Sequence, residues 1–353
     1  MPAFLRKAPA FGQWASFLAK AREAPPAFQP RVSQVKIAVL GAGAIGSYYG
    51  AILARSGEEI HLIGRGDHVR AMRENGLRVE SASEGGGGGD FRLPPESVRA
   101  TEDAREVGPV DWVLFAVKGP DTKDAAASLP PLLGSDTFIL TVQNGVDSAE
   151  RLSEALAGEG VRADILPGAV YIEATLVSPG LVRHGSGPRR LVFGERDGRP
   201  AERAERVRDA FHRTGVPVEM AEDIDAALWA KFLYICPMSG MTAMTRKGLR
   251  AVLDFPESRA LYESAVREVE AVARARGVSL PGDIVDTVMA FSEGLTDMRS
   301  SLQKDLEAGK PLEIDSLAGA AVRLGREAGV PTPIHDVIYA CLKAQDHGVP
   351  APD

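Results

Sequence analysis

Gly41, Gly43 and Gly46 stand in G-x-G-x-x-G spacing inside the stretch Val35–Arg65, which reads VKIAVLGAGAIGSYYGAILARSGEEIHLIGR. This spacing suits the binding of a pyrophosphate. The first glycine permits a tight turn, the second lets the backbone approach the phosphates, and the third lets helix and strand pack closely. The loop from Gly41 through Ala42, Gly43, Ala44 and Ile45 to Gly46 then opens a helix, whose unpaired N–H groups and partial positive charge face an anion. Arg65 follows the second apolar run, where an NAD site usually carries Asp or Glu on the ribose 2′-hydroxyl, and no carboxylate occurs until Asp67. A guanidinium there can take a 2′-phosphate through paired hydrogen bonds, which favours NADP; the alternative is a solvated turn arginine. Lys118 and Asn144 each follow an apolar run, and Lys231 lies within an otherwise apolar helical segment. Taken singly these three read as a strand-end lysine in solvent, an Asn-Gly turn residue and a lysine laying its stem over apolar surface.

The elements that must position these residues can be read from periodicity. Val35–Leu40 is a short β-branched apolar run, hence a buried strand. A helical pattern with Tyr49, Ile52 and Leu53 on one face follows it and stops at Gly57, and Ile60–Ile63 is the next strand. The context is strand, glycine turn, helix, strand, which the dinucleotide motif requires. Beyond it we expect a helix over His68–Asn75, a hairpin from Leu77–Glu80 and Phe91–Leu93, and a flexible loop tip at the five glycines Gly85–Gly89. Further strands are expected at Val98–Ala100, Trp112–Val117 and Leu140–Val142, with Lys118 and Gln143-Asn144-Gly145 at the carboxyl ends where open α/β sheets bind ligands. Residues 165–195 read as three strands, Ile165–Glu173, Gly180–Gly185 and Leu191–Gly194, and a helix at Glu202–Thr214 leads to a last strand at Val216–Met220. From Asp223 the pattern is almost wholly helical: Ile224–Ile235, bent or broken by Pro237 and Gly240, then Glu257–Arg276, Ile284–Leu295, Leu317–Ala328 and Ile334–Lys343. The fold class is therefore α/β, a Rossmann domain over 32–222 followed by an all-helical domain over 223–346.

Composition narrows the function classes. The chain has 353 residues, enough for two domains with separate cores, and a net charge of −7 that argues against a general nucleic-acid surface. Only two cysteines occur, Cys236 and Cys341, with no C-x-x-C and no metal-ligand spacing, which fits a reducing cytoplasm and predicts no metal. No apolar run approaches the length of a membrane span. Residues 1–31 are proline-punctuated and lack the apolar core of a secretory signal; they are expected to be a disordered tail or a mis-called start, with Val32 as a candidate first codon.

Several separate motifs carry a family resemblance: GAGAIG, the Val117-Lys118 strand end, Gln143-Asn144-Gly145, Trp229-Ala230-Lys231-Phe232, the long run SSLQKDLEAGKPLEID over Ser300–Asp315, and GVPTP over Gly329–Pro333. On these the chain resembles the ketopantoate (2-dehydropantoate) reductase family over about residues 35–345. The resemblance implies an N-terminal Rossmann domain, a C-terminal helical domain and a cleft between them. It also implies a cytoplasmic enzyme of pantothenate biosynthesis, on the coenzyme A pathway, in which NADPH delivers hydride to the ketone of a branched 2-oxo acid. By motif, Lys231 resembles the general acid, Glu313 the carboxylate that orients it, Ser301 the ligand of the substrate carboxylate, and Asn144 a polar contact to substrate near the nicotinamide. Gly41, Gly43 and Gly46 resemble the pyrophosphate loop, with Arg65 and Lys118 on the adenosine phosphate region or closing the cofactor site. The chemistry needs such types independently: hydride addition builds negative charge on the ketone oxygen, a proton donor must be aimed there, and a lysine in apolar surroundings needs a partner.

The chain also departs from the family. Members acting on ketopantoate often carry Asn four and eight residues after the lysine and three before the serine, where this chain has Ile235, Ser239 and Met298. A pocket that loses amides is less suited to a hydroxylated substrate. The expected function is therefore reduction of a 2-oxo acid, with ketopantoate first and another branched 2-oxo acid as the alternative. A non-catalytic NADP-binding regulator and an opine-type reductase are further readings. Apolar helical faces in the second domain could pack within the monomer or across a homodimer.

Overall fold

The computed structural model describes residues 34–82, 89–198, 201–295 and 298–346. The expectations for residues 1–31 and for most of the Gly85–Gly89 loop lie outside the described residues. The described chain falls into two compact units, one of residues 34–143 with 148–224, the other of residues 144–147 with 225–346.

Among the described residues the first unit holds every strand: β1 (Lys36–Leu40), β2 (Glu59–Ile63), β3 (Leu77–Ser81), β4 (Phe91–Leu93), β5 (Arg99–Thr101), β6 (Val110–Phe115), β7 (Leu133–Thr141), β8 (Asp164–Ser178), β9 (Leu181–Phe193) and β10 (Val218–Met220). The order β5-β2-β1-β6-β7-β8 is parallel throughout, the 3-2-1-4-5-6 arrangement of a doubly wound dinucleotide fold. β1 lies at its centre, with Ile37 opposite Ile60 on one side and Trp112 on the other. Alternate residues point to opposite faces. Ile37, Val39, Trp112, Leu114, Phe138 and Leu140 enter one core, beneath helices α1 (Ala44–Arg55), α2 (Gly66–Asn75) and α5 (Glu202–His212). Ala38, Leu40, Val113, Phe115 and Ile139 enter the other, beneath α3 (Thr122–Ala126) and α4 (Ser148–Gly158). Burial on both faces is why these strands read as continuous apolar runs. A side chain such as Phe115, wholly buried, contributes about 1.5–3 kcal/mol.

Two strand expectations change. β7 is nine residues long, and its first half, Leu133–Thr137, is largely exposed and carries no apolar run to announce it. The three strands expected over 165–195 are two long antiparallel ones, β8 and β9, joined at Pro179-Gly180. Ile172 pairs with Arg189 and Ala174 with His184, so the segment Gly185–Pro188 bulges opposite Glu173 alone. The bulge takes up the residues that looked like a strand break, including Pro188, which has no N–H for a ladder.

The second unit is all-helical: α6 (Ile224–Thr245), α7 (Leu249–Asp254), α8 (Pro256–Ala275), α9 (Ile284–Glu293), α10 (Ser301–Glu307), α11 (Ala318–Ala328) and α12 (Pro333–Lys343). Among the described residues no helix is long and apolar enough to cross a membrane. α8 buries Tyr262, Ala265, Val266, Val269, Val272 and Ala273 along one stripe and sets Glu263–Arg267 and Glu270–Arg274 pairs on its solvent side. α6 continues as one helix through Pro237, so the chain does not break there. Proline costs this helix a backbone bond, but nearly every α6 residue from Ala227 to Ala243 is buried, and that packing outweighs the loss. Gly240 is a packing notch: a Cβ there would lie 2.6 Å from Cγ2 of Ile338 on α12. Gly240→Ala should therefore destabilise by about 1–2 kcal/mol despite its better helix propensity. In denaturant melts, Gly240→Ala combined with Ile338→Ala should lose less than the sum of the single losses; strict additivity would remove the notch explanation.

Candidate active site

The glycine turn lies at the carboxyl end of β1, where the strand order reverses between β1 and β6. Gly41 has φ +100°, and a Cβ there would lie 2.6 Å from the Val117 backbone nitrogen. The N–H groups of Gly41 and Ala42 both donate to the Ile63 carbonyl, at 3.0 and 2.9 Å, tying the turn to the end of β2. A Cβ on Gly46 would lie 2.2 Å from the Gly41 carbonyl oxygen, so the turn and α1 meet closely at this third glycine. Around Gly43 there is open space: nothing lies within 4 Å of where its Cβ would stand. Gly43 occupies the N-cap of α1 with no side-chain cap, and the first turn carries no acidic residue. The N–H groups of Ala44, Ile45 and Gly46 are thus left for an external anion. Open space at the middle glycine and an uncapped, acid-free helix end fit a dinucleotide pyrophosphate.

Arg65 is exposed at the N-cap position of α2. Asp67, in the next turn, pairs with Arg70 at 2.7 Å. Glu102, just past β5, accepts a hydrogen bond from the Gly66 N–H at 2.6 Å, a carboxylate beside Arg65 that no local pattern announces. Lys118 is exposed where the chain leaves β6 for a 3₁₀ turn, Gly119–Asp121. Gln143, buried, donates to the Val117 carbonyl at 3.2 Å and to Thr122 Oγ1 at 2.8 Å, so it clamps the ends of β6 and β7 together.

In the second unit two segments far from α6 in sequence, those of Asn144 and Glu313, meet Lys231. Lys231 is 8% exposed, and its ammonium donates to Asn144 Oδ1 at 2.9 Å. Asn144 belongs to a tight turn in which Gly145 has φ +111° and would place a Cβ 3.0 Å from the Ser316 carbonyl, so this turn packs on the 3₁₀ segment Glu313–Ser316. Asp147 holds the same turn through an ion pair to Arg323 on α11. Burial pulls the Lys231 pKa down to about 8, and the negative charge of half-buried Glu313 works the other way. An ammonium poised near neutrality and held by an amide oxygen can give up a proton to a developing alkoxide. Ser301 is the exposed first residue of α10. The buried cap of that helix is Ser300, whose Oγ accepts from the Gln303 N–H at 3.0 Å and from Thr242 Oγ1 at 2.7 Å, pinning the start of α10 to α6.

Ser239 is buried and Ile235 and Met298 are half-buried. Tyr234 donates its hydroxyl to the Met298 sulfur at 3.0 Å and meets Phe291 edge-on at 5.0 Å. Tyr234 escaped sequence reasoning because it sits in the apolar run of α6; its place three residues after Lys231, on the same helix face, was the available signal.

A doubly wound sheet with a dinucleotide-type glycine turn, followed by a helical unit that buries a lysine against an amide and a carboxylate, defines the two-domain dinucleotide-binding oxidoreductases. Residues 37–198 match the family described as "Ketopantoate reductase PanE/ApbA" and residues 223–346 its C-terminal counterpart, so the chain belongs to the ketopantoate reductase family. It is 31% identical to a 2-dehydropantoate 2-reductase of Mesorhizobium japonicum over 326 residues, covering 88% of this chain and 97% of that protein. Its fold is similar to that of a PanE/ApbA family ketopantoate reductase from Ralstonia eutropha JMP134, with TM-score 0.78 and 34% identity over 88% of this chain and 98% of that one. A 2-dehydropantoate 2-reductase from Geobacter metallireducens GS-15 is similar with TM-score 0.79 and 32% identity, covering 88% and 99% of the two chains.

Proposed function

We propose that this protein reduces a 2-oxo acid to the 2-hydroxy acid at the expense of NADPH, with 2-dehydropantoate the first candidate substrate. The observation that supports it most is the buried Lys231 ammonium on Asn144 Oδ1 at 2.9 Å, with Glu313 beside it. Mere nucleotide binding has no need of a buried cation held in that way, so a non-catalytic regulator is the weaker reading. When bound, NADPH supplies the hydride that the ketone carbon receives. Lys231 gives its Nζ proton to the carbonyl oxygen as charge builds there, Asn144 aims the ammonium, and Glu313 favours its charged form. Ser301, at the open start of α10, takes the substrate carboxylate.

Steady-state turnover of a panel of 2-oxo acids with NADPH and with NADH tests this. NADPH should be preferred, and Arg65→Ala should cut that preference by about tenfold to a hundredfold, the worth of a charge-assisted pair to the 2′-phosphate. Intact NADPH binding with no turnover of any 2-oxo acid would support the regulator instead. The Tyr234–Met298 contact and the loss of amides at positions 235, 239 and 298 favour a second reading, an unhydroxylated branched 2-oxo acid. That reading loses if ketopantoate gives far the higher kcat/KM.

The pH profile follows from Lys231. Reduction needs the protonated amine, whose pKa stands at about 8, so kcat/KM should be flat below that pH and fall above it. Removing the Glu313 charge removes the influence that raises this pKa, so Glu313→Gln should move the alkaline limb to lower pH. A limb that stays in place in Glu313→Gln would exclude this coupling.

A further inference from the structure

His68 lies in the first turn of α2, buried, and bridges two segments remote from it in sequence. Its Nδ1 accepts a hydrogen bond from the Gly180 N–H at 2.9 Å, at the turn between β8 and β9. Its Nε2 lies 3.0 Å from Oγ of Ser47, a side chain on α1 with no exposed surface. The directions are decided by the donors available. A backbone N–H can only donate, so Nδ1 is the unprotonated nitrogen and the proton resides on Nε2. Nε2–H therefore donates to Ser47 Oγ, and the Ser47 hydroxyl donates onward to the Ala42 carbonyl at 3.1 Å. Ala42 is the residue between the first two glycines of the dinucleotide turn. Burial also lowers the pKa of His68, which keeps the imidazole in the neutral form this chain requires.

We infer that His68 and Ser47 are positioning residues for the dinucleotide: the relay from Gly180 through His68 and Ser47 to the Ala42 carbonyl holds the glycine turn in its binding shape and in register with the helix that bears Arg65. The inference rests on the reading of Gly41–Gly46 and Arg65 as the NADPH site. α1 already receives its first backbone bond from Ser47 N–H to the Gly43 carbonyl at 2.9 Å, so the helix does not need the Ser47 side chain to form. The hydroxyl instead reaches back to the turn. The backbone of the turn is tied on its other side by Gly41 and Ala42 N–H groups on the Ile63 carbonyl. The two peptides that flank Ala42 are thus held, one through the Ala42 N–H and the other through the Ala42 carbonyl, and the N–H groups at the start of α1 are aimed in advance of ligand. Gly64 contributes to the same fit, since a Cβ there would lie 3.1 Å from the Ala42 Cβ.

The test uses Ser47→Ala, His68→Asn and His68→Gln in the full chain, with NADPH affinity measured by fluorescence titration, kcat at saturating NADPH, and melting temperature. Asparagine can offer an acceptor where Nδ1 stands but cannot reach Ser47; glutamine can place an N–H donor where Nε2 stands. Ser47→Ala and His68→Asn should each weaken NADPH binding by about tenfold, the loss of one buried hydrogen bond, with kcat at saturation changed less than about twofold. His68→Gln should recover most of the affinity, and the Ser47→Ala/His68→Asn double variant should be no weaker than either single one, because both cut one relay. Wild-type affinity in Ser47→Ala and His68→Asn would overturn the inference, and so would equal losses in all three variants that follow their melting temperatures. Wild-type protein that binds neither NADPH nor NADH would overturn the underlying reading of the glycine turn, a distinct result.

Discussion

Lys231→Met should lower kcat for 2-oxo acid reduction by about 10²–10⁴-fold, the range spanned by a positioned general acid, while the protein keeps its fold and its affinity for NADPH. Methionine matches the stem of lysine and carries no charge. Lys231 is 8% exposed, and burial is the first cause of its lowered pKa, so the native ammonium is held at a cost in solvation. Replacing it by an apolar side chain of similar length removes that cost but leaves Asn144 Oδ1 without its donor, so the two effects oppose each other and the melting temperature should change little. That combination separates chemistry from stability, because a merely structural lysine would show the reverse, near-normal turnover with altered stability. The Asn144 amide that accepts from Nζ at 2.9 Å is lost in Asn144→Ala, which should produce a smaller fall in kcat, since the proton donor remains and only its aim is relaxed. Near-normal turnover in Lys231→Met, measured with saturating NADPH across the 2-oxo acid panel, would remove the mechanism proposed for this site.

The glycine turn should respond in opposite ways to the same added methyl group. In Gly46→Ala the new Cβ would sit 2.2 Å from the Gly41 carbonyl oxygen and 3.0 Å from Val39 Cγ1. The nearer contact is backbone, which cannot swing aside, so the turn must move off β1 or α1 must lift. We expect a loss of about 3 kcal/mol, at the upper end for overpacking and well beyond the roughly 1 kcal/mol that alanine gains over glycine in a helix. In Gly43→Ala nothing stands within 4 Å of the new Cβ, and φ is −83°, a conformation any residue adopts. Its stability should stay within about 0.5 kcal/mol of wild type, yet NADPH binding should weaken by about tenfold or more, because the methyl occupies the space through which a pyrophosphate approaches the backbone. Thermal melts and NADPH titrations on the two variants measure both quantities. A stable Gly46→Ala protein, or a Gly43→Ala protein with unchanged affinity, contradicts the role assigned to that glycine.

Much of the architecture was readable along the chain because it is written in short-range patterns. The run Val35–Leu40, the three glycines and the stripe Tyr49, Ile52, Leu53 lie within a few turns of one another, and β1, the turn and α1 follow them closely. The long helix of the second unit, Pro256–Ala275, is likewise announced by its own apolar stripe and by the glycine past its end. Where local signals misled, a distant neighbour was the reason. Gly240 looks like a helix breaker until Ile338 is brought against it, Pro237 is tolerated because α6 is enclosed by packing, and Gly185–Pro188 breaks no strand because β8 supplies a partner for a bulge.

By itself the sequence determined that a parallel α/β unit with a dinucleotide turn precedes an all-helical unit, and its motifs named the family to which the chain belongs. Only the tertiary structure decided which groups meet. It put Asn144 on Lys231, made Ser300 the cap of α10, set Tyr234 on Met298, and ran one chain of hydrogen bonds from Gly180 through His68 and Ser47 to the glycine turn. The physical reason is common to all of these. Apolar periodicity repeats every two or 3.6 residues and is therefore visible locally, whereas a buried polar group is satisfied by whatever donor or acceptor the fold delivers, from any point along the chain.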